Sequence, residues 1–223
     1  MIGIIGAMES ETKGLKDLIQ DKKIKTIAGI EFVSGKLCDK DIVCAKCNPG
    51  KVNSALCAQT MILTYSPDVI INSGVAGSLC SELSVYDVAI ANSCVQHDFD
   101  TSPLGAPLGM IDGLNIINFK CDNKVVKTLE AVCKNDNYKT GIIATGDIFV
   151  CKPETKKFIK QNFDAIACEM EGASIAQVCY VNGIKFGILR VISDGGDEVD
   201  FSTFVAQTSK KSINIMCEFI KQY

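Results

Sequence analysis

The chain has 223 residues, of which 47% are hydrophobic and 22% charged, values typical of a globular protein and not of a disordered one. Its formal charge of −3, without any block of Lys or Arg, argues against a nucleic-acid partner and favours a small molecule. Glu9 and Glu11 stand where a secretory signal would be apolar, and no apolar run reaches membrane-spanning length, so we expect a cytoplasmic protein without a membrane partner.

Short apolar runs alternate with segments of helical spacing along the chain. Strands are predicted at 2–5, 42–47, 68–72, 85–91, 141–145, 165–167 and 184–192, with a hairpin over 25–37. Helices are predicted at 9–19, 51–63, 153–161, 171–181 and 201–220. This alternation predicts an α/β fold with a mostly parallel sheet. No linker, repeat or charge run divides the sequence, so residues 1–223 are expected to form one domain.

The apolar positions of three helices follow helical spacing. Leu15 and Leu18 share one face of the first helix. The other two sets are Val52, Leu56, Ile62 and Leu63 in the second helix and Phe204, Thr208, Ile215 and Phe219 in the terminal one.

Twelve cysteines are scattered through the predicted strands and helices. Without an export signal, free and buried thiols are expected instead of disulfides. Cys44 and Cys47 form the only C-x-x-C and His97 is the only histidine, so no second ligand pair completes a zinc site. The glycine pairs 3/6 and 74/77 lack the full dinucleotide fingerprint. We therefore expect neither a metal nor a cofactor.

Ligands of open α/β sheets bind beyond the carboxyl ends of the strands, and four segments of the chain lie there. Residues 6–11 and 72–78 are interpreted as glycine-punctuated turns, residues 167–172 place two acids at a strand-to-helix junction, and residues 190–194 end in an acid. Each acid alone is typical of a helix cap. Their convergence predicts a site built from Glu11, Glu171 and Asp194.

Five strings, IGIIGAMESE, INSGVAGSL, ATGDIFV, ACEMEGASIAQVC and RVISDGGD, closely resemble in this order the signatures of the 5'-methylthioadenosine/S-adenosylhomocysteine nucleosidases. That family belongs to the nucleoside phosphorylase/hydrolase superfamily. The resemblance implies a three-layer α/β/α sandwich with a mixed, partly closed central sheet. It also implies a homodimer whose second subunit helps to enclose the 5' substituent of an adenine nucleoside. Residues 99–107 are candidates for that cross-subunit lip, or else form an ordinary surface loop.

The resemblance also implies a reaction, which is hydrolysis of the bond between adenine and ribose. Breaking this bond places positive charge on the sugar and negative charge on the purine. Two acids in opposite protonation states can stabilise both charges. By the family pattern, Glu11 is the base that activates water and Asp194 the acid that protonates the purine. A carboxyl group that donates near neutral pH needs a pKa well above the free value of about 4, which requires burial. Asp194 as a helix cap or as the ion-pair partner of Arg190 is the structural alternative.

The remaining site residues are implied by the same pattern. Glu171 binds the ribose hydroxyls and Met170 packs on the sugar, while Phe149 stacks on the purine and the backbone of Val150 reads its edge. Further substrate contacts are assigned to Met8, Gly77, Ser193 and Phe201. Val75 stands where the family commonly has a small hydroxyl residue, and the loop over 195–200 is short.

Three other functions stay open. A purine nucleoside phosphorylase would use phosphate, but such relatives place arginine where Asn72 stands, and Glu11 would repel the anion. Hydrolysis of 6-amino-6-deoxyfutalosine would change only the 5' group. A non-catalytic nucleoside-binding protein would not need to keep all three acids.

Overall fold

The fold is given by a computed structural model, which describes residues 1–194 and 198–223 except for the side chains of 198–200. Its strands are β1 (Ile2–Gly6), β2 (Gln20–Ile27), β3 (Ile30–Leu37), β4 (Lys40–Lys46), β5 (Val69–Ser78), β6 (Val88–Gln96), β7 (Phe119–Lys120), β8 (Tyr138–Thr145), β9 (Ala165–Glu169) and β10 (Lys185–Asp194). Its α-helices are α1 (Glu9–Leu18), α2 (Lys51–Tyr65), α3 (Asn123–Val132), α4 (Pro153–Phe163), α5 (Gly172–Asn182) and α6 (Glu198–Gln222). A short 3₁₀ helix covers Ser102–Leu104.

These strands form one hydrogen-bonded sheet in the order β10-β6-β8-β9-β5-β1-β4-β3-β2, and β7 lies off this path and pairs with β6. A further pairing of β10 with β5 closes β10, β6, β8, β9 and β5 into a ring. Strand β1 pairs in parallel with β4 and β5, whereas β3 is antiparallel to β4 and β5 is antiparallel to β9. The sheet is thus mixed and partly closed, as the family resemblance implies, and the alternation of strands and helices predicted only its parallel part.

Helices cover the sheet as two packed groups. Helices α2 and α5 pack on each other, α2 against β1 and α5 against β8. Helices α1 and α3 both pack on α6, which lies against β10 and β5. Strand β1 is buried along its whole length, as expected for a central strand with parallel neighbours on both sides. This arrangement confirms the three-layer α/β/α fold.

Several element boundaries differ from those predicted. β5 continues to Ser78, so residues 72–78 are strand and not a glycine turn. Polar residues can lie in this buried strand because they are hydrogen-bonded there: Asn72 donates its side-chain NH₂ to the carbonyl of Ile5 2.9 Å away. β6 covers Val88–Gln96 instead of 85–91, and β7 and α3 were not predicted.

The spacing of apolar residues in helix α2 predicts a buried face that is mostly exposed in the structure. Ile62 is buried, but Val52 is 79% and Leu63 75% exposed, and Leu56 is exposed as well. Leu18 in α1 is also exposed, whereas Leu15 is fully buried. The residues that α2 buries are mostly small or sulfur-containing, among them Ser54, Cys57, Ala58 and Met61. The apolar stripe of α2 therefore faces outward.

All twelve cysteines lie among the described residues and are free. Eight of them are buried, which confirms the expected state of the thiols. Over the described parts of the chain, no helix combines the length and the apolar character needed to cross a membrane.

Candidate active site

One cleft, with about 610 Å³ of empty space including its open mouth, lies where the ends of β5, β9 and β10 meet the turn after β1. It is lined by every residue that sequence analysis assigned to the site: Met8, Glu11, Gly77, Phe149, Val150, Met170, Glu171, Ser193, Asp194 and Phe201. These residues come from distant parts of the chain, and the fold brings them together. Their chemical roles remain predictions.

Glu11 joins the turn after β1 to strand β5. Its Oε2 accepts hydrogen bonds from the backbone N–H groups of Ala7 (2.7 Å) and Met8 (2.8 Å), and its Oε1 accepts from Val75 N–H (3.0 Å). The bond from Met8 makes Glu11 the third residue of a capping box at the start of α1. Glu11 is thus a helix cap and a cleft residue at once.

Gly74 makes this position of the Glu11 carboxylate sterically possible. A Cβ at residue 74 would overlap Oε1 of Glu11 and lie 2.9 Å from its carboxyl carbon. Burial raises the pKa of Glu11, and the opposing effects of Arg190 and the three N–H donors do not cancel it. Glu11 therefore holds a proton more readily than a solvated glutamate.

Arg190 and Glu169 form a buried ion pair, and Glu169 is itself one of the residues that line the cleft. Arg190 also donates to the side-chain oxygen of Asn72, and its Nη2 lies 3.8 Å from a carboxylate oxygen of Glu171. Glu169 accepts further hydrogen bonds from the hydroxyl of Thr145 and from Gly172 N–H at 2.8 Å. Burial alone would raise the pKa of Glu169, but Arg190 and these donors outweigh it and hold the pKa below its usual value. Glu169 is therefore the ionised partner of the arginine.

Sequence analysis did not assign Glu169 to the site and treated Arg190 only as a structural partner of Asp194. The signal for the pair was an arginine inside the buried run GILRVIS. A charge in a fully buried strand requires a buried counter-charge, which points to an acid on a neighbouring strand end. The ion-pair partners of Arg190 are Glu169 and, at longer range, Glu171.

Glu171 is the N-cap residue of α5, and its side chain turns away from the helix toward the loop before α2. Its Oε1 accepts one hydrogen bond, from Gly50 N–H at 3.0 Å. Burial, together with the negative charge of Glu169, raises the pKa of Glu171 to about 8, since Arg190 offsets these effects only in part. Glu171 therefore keeps its proton to a higher pH than a solvated glutamate does.

Asp194 ends strand β10 at a register shift that sets it opposite Gly77 on β5. Such a bulge redirects a side chain at the end of a strand. Asp194 is 2% exposed, and the hydroxyl of Ser193 donates to its Oδ2 at 2.7 Å. The Ser193 hydroxyl therefore contacts the carboxyl group of Asp194 directly.

Two aromatic side chains also line the cleft. The rings of Phe149 and Phe201 meet edge to face with their centroids 5.6 Å apart, and Phe149 is 42% exposed. An exposed aromatic face at a cleft is suited to stacking on a planar base. Val150, the next residue after Phe149, is buried.

Three other features were singled out in the sequence. Val75 lines the cleft and contacts Glu11 through its backbone, so its side chain supplies no hydroxyl there. Residues 99–107 do not line this cleft and stay a prediction about a partner subunit. The loop over 195–200 lies outside the described residues apart from the backbone of 198–200. Within the described residues, no group of three or more His, Cys, Asp or Glu side chains could hold a metal ion.

Comparison with known proteins gives matches over the whole chain. The phosphorylase superfamily model matches residues 1–221. The 5'-methylthioadenosine/S-adenosylhomocysteine nucleosidases of Shewanella halifaxensis and Staphylococcus haemolyticus are each 38% identical, with 99% of both chains covered in each case. A crystal structure of the same nucleosidase from Neisseria meningitidis in complex with methylthio-immucillin-A has a TM-score of 0.96 at 30% identity, with 100% of this chain and 99% of that chain covered. Futalosine hydrolase of Helicobacter pylori has a TM-score of 0.95 at 35% identity, with 100% and 97% covered.

Proposed function

Because the chain belongs to the 5'-methylthioadenosine/S-adenosylhomocysteine nucleosidase family of the phosphorylase superfamily, we propose that it hydrolyses the bond between adenine and ribose in these two nucleosides. Adenine and the corresponding thioribose are the products, and 5'-deoxyadenosine is a further candidate substrate. The observation that carries the proposal is the meeting of Glu11, Glu171 and Asp194 in one cleft beside the exposed ring of Phe149.

In the proposed reaction, Asp194 protonates the departing purine and Glu11 takes a proton from the attacking water. The two tasks need groups on opposite sides of the sugar, and the acids come from different elements, the end of β10 and the start of α1. The Glu11 carboxylate is held by three backbone donors, which fix it in place before substrate binds. Water is the nucleophile and no cofactor takes part.

In the proposed complex, Glu171 and Met170 hold the ribose and Phe149 stacks on adenine. Val150 reads the edge of the base through its backbone, and Gly77 allows close approach of the sugar. Met8, Ser193 and Phe201 complete the enclosure. A protonated Glu171 can donate to one ribose hydroxyl and accept from another, which suits a vicinal diol.

Phosphate is disfavoured as the nucleophile by the charge balance of the cleft. The positive charge of Arg190 acts on Glu11, but it is already matched by Glu169. An incoming anion would therefore meet buried carboxylates beside a cation that is already paired. Adenine release should therefore proceed at the same rate with and without phosphate.

Hydrolysis of 6-amino-6-deoxyfutalosine is the second candidate, favoured by the similarity to the Helicobacter pylori futalosine hydrolase. It would use the same acids and differ only at the 5' group. The deciding experiment incubates the purified protein with methylthioadenosine, S-adenosylhomocysteine, aminofutalosine and inosine, with and without phosphate, and identifies the released base and sugar. Highest kcat/KM for aminofutalosine would replace the main assignment, and release that requires phosphate would contradict hydrolysis.

We also propose a homodimer in which the partner subunit completes the 5' pocket. Val52, Leu56 and Leu63 form an exposed stripe on α2, and Tyr180 and Val181 are exposed on the adjacent helix α5. Exposed apolar residues on two packed helices are typical of a subunit interface. Leu63→Glu should shift the protein from dimer to monomer in analytical ultracentrifugation, whereas Ile24→Glu, at an exposed site on β2, should not. Equal masses for both variants would contradict the proposed interface.

The remaining parts of the proposal concern context. Residues 1–223 act as one nucleosidase domain, because a single sheet runs through the chain. A reducing compartment such as the cytoplasm suits twelve free thiols. Removal of these adenine nucleosides there would serve methionine salvage.

A further inference from the structure

Three loops at the mouth of the cleft meet at one carboxylate, that of Asp98. The loops follow β4, β6 and β8 and contain Gly50, Asp98 and Asp147 respectively. None of the three residues lines the cleft, and none belongs to the acids assigned to the reaction. Their contacts nevertheless reach both the proposed base-stacking residue and the proposed ribose-binding acid.

Asp98 bridges two of these loops with its two carboxylate oxygens. Oδ1 accepts a hydrogen bond from Lys51 Nζ at 2.7 Å, and Oδ2 accepts from the backbone N–H of Asp147 at 2.8 Å. The side chains of Lys51 and Asp98 are only 19% and 16% exposed. By contrast, the ion pair of Lys13 with Asp17 joins adjacent turns of one helix and is more than 60% exposed on both sides. The Asp98 pair is thus protected from solvent and joins segments that are distant in sequence.

Asp147 continues the connection to the start of α2. Its Oδ1 accepts from the backbone N–H of Lys51 at 2.8 Å, the first residue of that helix. The preceding residue, Gly50, has no side chain to cap the helix, and a Cβ there would lie 3.1 Å from the same Oδ1. Asp147 therefore supplies from another loop the cap that α2 lacks. The N–H of Gly50, fixed in this way, is the donor to Glu171.

The loop that contains Asp147 continues to two residues that line the cleft. Phe149 and Val150 follow two and three residues later. Gly146, the residue before Asp147, lies directly against the His97 ring, which leaves no space for a Cβ at position 146. The backbone of this loop is therefore held at Gly146 by the His97 ring and at the N–H of Asp147 by Asp98.

We propose that Asp98 is a positioning residue for substrate binding, which sets the distance between the Phe149 ring and Glu171 by holding the loops that carry them. The inference rests on the proposed function, because it assumes that adenine stacks on Phe149 and ribose binds Glu171. Lys51 and Asp147 act with Asp98 as one network. Loss of a charged hydrogen-bonding partner from such a network weakens binding on the order of tenfold.

The test compares Asp98→Asn and Lys51→Met with Asp17→Asn, a matched change in the exposed ion pair of α1. For methylthioadenosine, Asp98→Asn and Lys51→Met should raise KM on the order of tenfold with a smaller change in kcat, because substrate binding is lost and not a proton-transfer group. Asp17→Asn should leave both constants unchanged. Asp147→Ala should also raise KM, and Asp147→Asn should restore it, since asparagine caps helices equally well.

The outcomes separate this inference from the assignment of function. If the wild-type protein turns over methylthioadenosine but Asp98→Asn has the constants of Asp17→Asn, the positioning role is refuted. If Asp98→Asn does not fold, Lys51→Met decides, and an unchanged KM refutes it. If the wild type is inactive, the proposed function fails, and calorimetric binding of adenine to wild type and Asp98→Asn still tests the network. Equal affinity, or no binding to either protein, would then overturn the inference.

Discussion

Replacement of Gly74 by alanine tests whether the reaction depends on the fixed position of Glu11. The added Cβ would overlap Oε1 and lie 2.9 Å from the carboxyl carbon, so the Glu11 side chain must move. Movement breaks the 3.0 Å bond from Val75 N–H and strains the bonds from Ala7 and Met8. Overpacking of this kind costs about 1–3 kcal/mol, and a lost hydrogen bond to a charged group about 1.5–3 kcal/mol. The free energy of unfolding should fall by roughly 2.5–6 kcal/mol.

The kinetic effect should be larger than the loss of folded protein explains. Displacement of a general base by a few tenths of an ångström to one ångström lowers kcat on the order of 100-fold. Adenine release gives kcat, and urea unfolding gives the free energy of unfolding. Gly14→Ala is the control, because there the added Cβ meets only the end of the Ile213 side chain at 2.9 Å. If Gly74→Ala keeps kcat within twofold of the control, the assignment of Glu11 as a fixed base is refuted.

Three further predictions concern the buried charges. Glu11→Gln and Asp194→Asn should each abolish adenine release while methylthioadenosine binding stays detectable by calorimetry, and near-normal turnover in either would exclude that residue as a proton carrier. Because the pKa of Glu171 is raised to about 8 in the folded state from an ordinary 4.5, the folded protein retains a proton that the unfolded chain releases, so stability falls as pH rises between these values. Glu171→Gln should flatten that decline in urea titrations at pH 6, 7 and 8, and parallel curves would contradict the raised pKa. Arg190→Met should destabilise the fold by about 3–5 kcal/mol by leaving Glu169 unpaired, and Lys160→Met, at an exposed pair, should change stability by less than about 1 kcal/mol.

The local sequence pattern predicts a strand or helix correctly where neighbouring residues alone determine it. It fails where contacts with distant parts of the chain determine the structure. The run from Ile2 to Gly6 was predicted as a strand because a short apolar stretch ends in glycine, and that is what forms. The run from Asn72 to Ser78 has the composition of a turn, yet it extends β5 because β10 pairs beside it and supplies Arg190 to Asn72. The sequence of residues 72–78 alone does not show that β10 will pair with this segment. The outward face of α2 was missed for a related reason, since helical spacing identifies a stripe but not what covers it.

The same distinction applies to the candidate site: residues in motifs could be predicted from the sequence, whereas effects of the surrounding charges could not. The residues that line the cleft follow strand ends and carry recognisable motifs, so they could be identified from the sequence. The buried pair of Glu169 and Arg190 was not assigned, although the buried arginine requires a counter-charge, because the pair acts on the charge of other groups and has no motif of its own. Burial raises the pKa of Glu171, and Glu169 adds to this effect through its negative charge while it is paired with the arginine. Such a site should bind a neutral nucleoside and water more readily than an anion, and this preference depends on Glu169, because Glu169 already pairs with Arg190.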